Sequence, residues 1–333
     1  MDLSIVIPYV HSYPEIIQTL FAFQNELIDE NYTFEIIIVE NREVDPYTNR
    51  FLHYFRVPRS REFIRYFFEE VPCGPAARMK GAVEARGKYL MFCDAHTQPG
   101  KNTLPLLVDL LEGNSNVGSV HGSTMYSHVD LKRGAGCHYD LFGGDINLRS
   151  HFHGRYQRCK CLEPYRVAGA SLAYMMVRRE EFLALRGYHP ECRGYPHPEG
   201  YVPLKYQMCG LECWSVPSAW HLHSLYPRNY GTRPKVHIEI EGEKYLLVGN
   251  DNLVRNAMIC AGTLGGEEWV DKVYEEWRGR GGHKRVLDGI RVSAESALVE
   301  ERDWVLDNSL FSLDEVLDEL YDAGVKGMEK WKS

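Results

Sequence analysis

Short apolar runs alternate with stretches of helical periodicity along much of this chain. Apolar runs with few polar breaks predict strands buried on both faces, and apolar positions three and four residues apart predict helices. We predict strands at residues 3–8, 34–40, 63–68, 89–94, 117–121, 171–177 and 211–223, and helices at residues 13–30, 75–86, 102–112 and 179–186. This alternation is typical of βαβ units and predicts an α/β fold, with a mostly parallel sheet flanked by helices.

Two other patterns divide the chain. Residues 122–166 and 187–200 are rich in Gly, His and Tyr, with Arg or Pro, and lack a clear period, as loops that cover a site or reach a partner do. From about Lys235 the pattern becomes that of amphipathic helices. These helices are predicted at residues 250–262, 267–278 and 313–321. We therefore expect an α/β domain over residues 1–232 and a mostly helical region over residues 233–333.

Composition narrows the class of protein. The chain has 333 residues, 44% of them hydrophobic, and a net charge of −8, which suits a large core and argues against a broadly basic nucleic-acid surface. Nine cysteines without a C-x-x-C pair or a signal peptide favour a reducing compartment. No apolar run approaches the roughly 20 residues of a membrane span. We expect a soluble, cytoplasmic protein.

The strongest chemical signal is Asp94-Ala95-His96, which directly follows the apolar run at residues 89–93. In parallel α/β sheets, ligands bind at the carboxyl ends of the strands. Oxygen and nitrogen donors at that place suit a divalent metal, which can hold a diphosphate and neutralise its charge. For an isolated D-x-H, a turn cap and an ordinary loop histidine would be the simpler interpretation, so the rest of the chain decides.

Several further segments share the order and spacing of a known family. They are residues 4–9 (SIVIPY), 40–41 (EN), 78–87, 94–96 (DAH), 168–171 (AGAS), 186–190 (RGYHP), 208–210 (MCG), 216–217 (VP) and 220–221 (WH). Together they resemble a family-2-type glycosyltransferase of the GT-A fold, over about residues 3–225. The D-x-H form and the later segments are most similar to the polypeptide N-acetylgalactosaminyltransferases. The resemblance implies a Rossmann-like GT-A domain followed by the helical C-terminal region.

The resemblance implies a metal site. In that family the D-x-H motif and a distant histidine hold a divalent metal against the nucleotide diphosphate, which places Asp94 and His96 on the metal. The third ligand is His221 or His223, which face the same side of a strand. We prefer His221, because Trp220-His221 matches the family pattern best. Manganese is the expected metal, with magnesium as the alternative.

The resemblance also implies a site for a UDP-sugar. Its contacts are expected from residues at the ends of the first two strands, in the helix before the D-x-H motif and in that motif itself. They are Pro8, Tyr9, Val10, Glu40, Asn41, Arg78, Asp94 and Ala95. Glu40 stands where the family more often has Asp, and would bond the uracil or the ribose. Arg78 would approach the diphosphate as a cation, whereas Lys80 is expected to be a solvated helix residue.

Catalysis in an inverting enzyme needs a carboxylate base to take the acceptor proton. The residue in the position of the family's acidic loop residue is Glu199, shifted by one, with Glu191 as a second choice. Asp94 is expected to act in catalysis through the metal. The departure around Glu199 leaves the stereochemistry open, because the N-acetylgalactosaminyltransferases retain configuration and many other family-2 enzymes invert it.

The acceptor is expected to be a hydroxyl group of a modified DNA, a glycan or a protein. Basic and aromatic residues alternate within the loop segment, as in a surface that binds unstacked bases or sugars. They are Arg149, Phe152, Arg155, Tyr156, Arg158, Lys160, Tyr165 and Arg166. One version of the acceptor is therefore a hydroxymethylated base in DNA. A second metal at His151, His153, Cys159 and Cys161 is disfavoured, since loop histidines are more often acceptor contacts or surface residues.

Two other functions remain open. A nucleotidyltransferase that forms nucleotide-sugars can have a similar sheet, but it usually has a glycine-rich loop after the first strand, and residues 9–14 contain no glycine. A non-catalytic module that binds a nucleotide-sugar is the other alternative, supported by the altered loop around Glu199.

Overall fold

The fold is taken from a computed structural model. It describes residues 1–10, 15–28, 32–41, 63–71, 73–126, 138–147, 153–158, 163–167, 169–170, 174–194, 200–223, 237–240, 243–246, 250–279 and 284–320. The strands are β1 (Leu3–Tyr9), β2 (Phe34–Asn41), β3 (Ile64–Glu69), β4 (Tyr89–Cys93), β5 (Thr97–Pro99), β6 (Val117–Tyr126), β7 (His138–Asn147), β8 (His153–Arg158), β9 (Tyr165–Arg166), β10 (Tyr174–Arg178), β11 (Glu212–His223), β12 (His237–Ile240) and β13 (Glu243–Leu246). The helices are α1 (Glu15–Ile28), α2 (Gly74–Glu84), α3 (Thr103–Gly113), α4 (Arg179–Ala184), α5 (Tyr201–Met208), α6 (Asn250–Gly265), α7 (Glu267–Gly279), α8 (Lys284–Glu295), α9 (Val299–Asn308) and α10 (residues 313–320).

The main sheet has the strand order β3-β2-β1-β4-β10-β6-β11-β5. Its first four strands are parallel, so their carboxyl ends lie at one edge. The runs in β1, β2 and β4 are almost completely buried, as expected of strands covered by helices on both faces. The predicted α/β class and the strands of this half are confirmed.

The second half of the sheet is mixed. β10 is antiparallel to both β4 and β6, β11 is parallel to β6, and β5 is antiparallel to β11. The segment 122–166, predicted to be loops, contains the end of β6 and also β7, β8 and β9. That prediction was wrong because the polar and glycine-rich strands of this segment lack the alternation by which a half-buried strand is recognised.

Two apolar layers cover the sheet. On one face, β1 and β4 pack with α1 and α3 through residues such as Phe23 and Leu107. On the other face, α2, α4 and α5 pack together with the C-terminal helices in one continuous cluster that includes Phe182 and Met258. The helical C-terminal region is thus packed on the same side of the sheet as α2.

Helix α5 was not predicted, and its environment explains why. Every residue of Tyr201–Met208 is buried, including Lys205, so the helix has no polar face to give it a period. The Nζ atom of Lys205 lies 3.1 Å from Glu301 Oε1 on α9, and this buried ion pair connects α5 to the C-terminal helices.

The predicted boundary between residues 232 and 233 lies outside the described residues. None of the helices described is long and apolar enough to cross a membrane.

Candidate functional site

Asp94, His96 and His223 come together at the carboxyl end of the parallel strands. Asp94 directly follows β4, and the turn through His96 leads into β5. β5 pairs with the end of β11, where His223 lies opposite Thr97. One ligand atom from each of the three side chains lies within 4.8 Å of the other two, and the rings of His96 and His223 stack with centroids 4.6 Å apart.

The structure places His223 in this cluster rather than His221, the histidine preferred from the sequence. His221 is fully buried, its Nε2 atom lies 3.1 Å from Thr124 Oγ1, and its ring stacks on Tyr174 with centroids 4.5 Å apart. His223 Nε2 lies 3.4 Å from Asp94 Oδ2. His221 therefore packs beneath the cluster, and His223 supplies its third side chain.

Arg78 fixes the carboxylate of Asp94. The guanidinium group lies on α2, is only 1% exposed, and donates through Nη2 to Asp94 Oδ1 over 2.7 Å. Burial would raise the pKa of Asp94, but the hydrogen bond from His223 and the charges of Arg78, His96 and His223 outweigh burial and hold the pKa well below its usual value. Asp94 is thus an anion at neutral pH.

The turn at Asp94 is also held from the other face of the sheet. The hydroxyl of Thr19 on α1 donates to the carbonyl oxygen of Ala95 over 2.9 Å. Ala95 itself is buried, so the side chains of Asp94 and His96 on either side of it leave a fixed backbone. A fixed backbone lets the cluster keep its arrangement before any ligand arrives.

The donor set of the cluster fits a divalent metal. One carboxylate and two imidazoles form a donor set that binds divalent transition metals, and the buried cation of Arg78 leaves one carboxylate oxygen, Oδ2, on the side of His223. Among the described residues this is the group of acids, histidines and cysteines close enough to share one ion.

A second polar group lies at the carboxyl ends of β1 and β2. Tyr9 and Glu40 are register partners and both are fully buried. The hydroxyl of Tyr66 on β3 donates a hydrogen bond to Glu40 Oε2. Asn41 donates to the carbonyl oxygens of Val71 and Cys73, which holds the segment that enters α2. Pro8 and Val10 flank Tyr9 at the same edge.

The remaining predicted residues lie elsewhere. Glu199 falls outside the described residues, as do His151, Cys159 and Cys161, and the side chains of residues 126–162 are likewise not described. Glu191 lies 3.7 Å from Arg255 Nη2 and is not a member of the Asp94 cluster. Lys80 is half-buried rather than a fully solvated helix residue.

Sequence reasoning missed the roles of Thr19 and Tyr66. Both lie far from their partners in the chain and in helices or strands without a recognisable motif, so no local signal marks them. Arg78 was predicted to approach a diphosphate, which stays a prediction, and the structure places its guanidinium against Asp94. The position of Arg78 in the helix before the D-x-H motif indicated that it belongs to the site. The sequence did not reveal that its partner is Asp94.

Comparison with known proteins gives a consistent result. A family model described as glycosyl transferase family 2 matches residues 4–183, which is more than half of the chain. Two curated Drosophila melanogaster proteins with N-acetylgalactosaminyltransferase in their names match 59% of the chain at 23% and 25% identity, the second being N-acetylgalactosaminyltransferase 7. The chain spans about a third of the length of these relatives, with 34% and 35% of them covered.

Solved structures show the same fold. The structure of GalNAc-T7 with UDP, GalNAc and Mn2+ matches 92% of this chain and 56% of its own, with 15% identity and a TM-score of 0.63. Staphylococcus aureus TarS in complex with UDP-GlcNAc matches 98% of this chain and 92% of its own, with 12% identity and a TM-score of 0.55. The fold is thus that of GT-A glycosyltransferases, and the chain belongs to glycosyl transferase family 2.

Proposed function

We propose that this protein is a metal-dependent glycosyltransferase that moves a sugar from a UDP-sugar to a hydroxyl acceptor. The observation that carries the proposal is the cluster of Asp94, His96 and His223 at the carboxyl end of β4, beside the polar ends of β1 and β2. Ligands bind at this edge in open α/β sheets. The UDP and Mn2+ bound by GalNAc-T7, a structure of the same fold, support the choice of donor and metal.

In this proposal Asp94, His96 and His223 hold the metal. Bound there, a divalent metal would supply positive charge against the diphosphate of the leaving nucleotide. Arg78 orients the Asp94 carboxylate, and Thr19 fixes the turn that carries it. Arg78 is therefore a positioning residue, because its guanidinium is buried against Asp94 instead of extending towards solvent. Manganese is the proposed metal, since GalNAc-T7, a structure of the same fold, was solved with Mn2+.

The nucleotide is proposed to lie along the ends of β1 and β2. Pro8, Tyr9 and Val10 form the end of the first strand, and Glu40 would bond the uracil or the ribose. Tyr66 holds the Glu40 carboxylate in one orientation, which is the requirement for a group that selects a base. Ala95 and Asn41 would complete the wall of the site, Ala95 through its backbone.

Proton removal from the acceptor hydroxyl is proposed for Glu199. A carboxylate near the acceptor can take the proton as the bond to the sugar forms. Gly200, the residue after Glu199 in the sequence, is buried and precedes α5. We also propose that residues 1–232 form the catalytic domain and residues 233–333 the helical region packed on it.

The proposal is tested by release of UDP from a panel of UDP-sugars. Wild-type protein with manganese is expected to release UDP by slow hydrolysis or transfer, and excess chelator is expected to stop the reaction. Asp94→Asn should lose at least 100-fold in rate, because the metal loses its anionic ligand. Asp109→Asn, a change at an exposed aspartate on α3, is the matched control and should keep full activity.

Three outcomes would contradict the proposal. Activity that persists in excess chelator or in Asp94→Asn would exclude the metal-dependent mechanism. Release of pyrophosphate from a nucleoside triphosphate and a sugar phosphate would identify a nucleotidyltransferase. Binding of a UDP-sugar without release of UDP, for any acceptor, would identify a binding module.

The acceptor classes are compared in the same assay with hydroxymethylated DNA, glycans and peptides.

A further inference from the structure

A cavity of about 1110 Å³ lies between α2 and the C-terminal helices α8 and α9. The segment that follows α4, residues 186–193, closes one side of it. Its apolar part is formed by Met79, Val83, Leu183 and Tyr188. The volume is sufficient for two or three sugar rings, because ligand sites of about 300–1,000 Å³ hold drug-sized molecules.

The cavity is separate from the Asp94 cluster. An α-helix advances by about 100° per residue, so Ala76, Met79, Lys80 and Val83 lie on one stripe centred about 150° from Arg78. Arg78 reaches through the core to Asp94, whereas that stripe lines the cavity. Helix α2 thus has the Asp94 cluster on one side and the cavity on the other.

The charges of the cavity are balanced. Arg255 lies 3.7 Å from Glu191, and Arg186 lies 3.7 Å from Glu300. Four cations and five carboxylates line the walls, so the cavity has no strong potential of one sign. A net anion or a net cation would therefore gain little here, and an uncharged ligand that both donates and accepts hydrogen bonds would fit.

Two hydrogen-bond donors beside the cavity have no partner within the described part of the chain. Lys80 is half-buried, and no described residue forms an ion pair or hydrogen bond with it. His189 is 2% exposed, and its Nδ1 accepts the backbone N–H of Glu191 over 3.1 Å, so the neutral ring carries its proton on Nε2. That Nε2 atom has no partner among the described residues. Buried donors are normally satisfied, which points to an acceptor that binds from outside.

We propose that this cavity binds an uncharged oligosaccharide and forms an acceptor subsite remote from the donor. Sugar hydroxyls accept from Lys80 and donate to Glu300, while the C–H face of a ring packs on the apolar floor formed by Met79 and Val83. The cavity extends to Glu69, the last residue of β3, and so opens at the same edge of the sheet as Asp94. This inference rests on the proposed function, and it identifies the acceptor as a glycan chain.

The test observes Met79 directly. The protein is labelled with 13C at the methionine methyl groups, and the Met79 signal is assigned with Met79→Leu. Chitotriose, maltotriose and mannotriose are then titrated with and without UDP and manganese. At least one trisaccharide is expected to shift the Met79 signal in a saturable manner, and UDP with manganese alone is expected to leave that signal in place.

Two valines provide a matched pair of variants. Val83 is 58% exposed in the cavity on α2, and Val292 is 66% exposed on α8 without lining it. Val83→Trp should fill the cavity and weaken trisaccharide binding at least 10-fold, whereas Val292→Trp should leave it unchanged. Both variants should bind UDP with manganese as the wild type does, which shows that each is folded.

The result separates this inference from the proposed function. If UDP binds with manganese but no trisaccharide shifts Met79, or if Val83→Trp binds the sugars normally, the cavity is not the subsite and the proposed function stands. A shift of Met79 by peptides or acidic sugars alone would overturn the assignment to uncharged glycans. If UDP does not bind at all, the proposed function fails independently of the sugar titration.

Discussion

Two histidines, two residues apart on β11, have different environments. His223 lies in the Asp94 cluster and its side chain is 13% exposed, whereas His221 is fully buried against Thr124 and Tyr174. The motif pattern favoured His221, since the sequence could place both histidines on one face of a strand but could not show the pairing of β11 with β5. That pairing brings residue 223 opposite the turn of Asp94. The choice between them depends on tertiary structure.

We therefore predict that His223→Ala and His221→Ala fail in different ways. His223→Ala should weaken manganese-dependent UDP binding by about 100-fold and leave the melting temperature close to that of wild type, because it removes a proposed ligand near the surface. His221→Ala should lower the free energy of unfolding by about 2–4 kcal/mol, because it empties a buried, stacked position. Calorimetry and urea unfolding measure the two effects. The reverse pattern would identify His221, and not His223, as the metal ligand.

His189 gives a second prediction for a single residue. Burial, with the nearby cations Lys205 and Arg255, lowers the pKa of His189 to about 3. An unfolded chain has a histidine pKa near 6.5, so as the pH falls below 6.5 the unfolded state takes up a proton that the folded state does not. The stability therefore falls with pH in the window between about 6.5 and 3.

The variant His189→Gln should remove this part of the pH dependence. Between pH 7 and pH 5 the free energy of unfolding of the wild type should fall by about 2 kcal/mol more than that of His189→Gln. Urea unfolding at the two pH values measures the difference. Equal pH dependence in both proteins would show that the imidazole is accessible to protons in the folded state.

Strands were predicted more completely than the helices and loops around them. The parallel strands of the first half of the sheet, each an apolar run, were predicted within one or two residues. Helices α5, α8 and α9 were not predicted. The residues of α5 are buried on every side, so that helix has no polar face. Helix α8 was missed although it is amphipathic. Residues 122–126, at the end of β6, were predicted to be a loop because the strand continues into glycine- and serine-containing sequence.

The buried ion pair between α5 and α9 is expected to be the main polar link between the α/β core and the C-terminal helices. Lys205 Nζ also lies 4.6 Å from the centre of the Tyr201 ring, so the cation is enclosed on several sides. Glu301→Leu alone should cost about 3–5 kcal/mol, because it leaves Lys205 buried without its partner. The double variant Lys205→Met/Glu301→Leu should be more stable than Glu301→Leu.

A double-mutant cycle in urea measures this coupling. If the effects of Lys205→Met and Glu301→Leu simply add, the two side chains do not depend on each other, and the link between α5 and α9 is apolar packing alone. A positive coupling energy would show that the ion pair holds the two parts of the chain in register.

For the whole molecule, the fold class, the family and the position of the D-x-H motif were predictable, because they depend on local runs and on the order of short segments. The partners of Asp94 were not, because Arg78, His223 and Thr19 come from elements that are distant in sequence. The cavity beside α2 was also not predictable, since its walls come from α2, the segment after α4 and the C-terminal helices. The helical region thus has a proposed function beyond covering the sheet.

The central claim is that a metal held by Asp94, His96 and His223 binds the donor nucleotide. It is tested most directly by calorimetric titration of UDP into the purified protein, first with manganese and then with excess chelator. We predict saturable binding with manganese, and at least 100-fold weaker binding in chelator or in Asp94→Asn. UDP binding of equal strength with and without the metal, or no binding in either condition, would contradict the account.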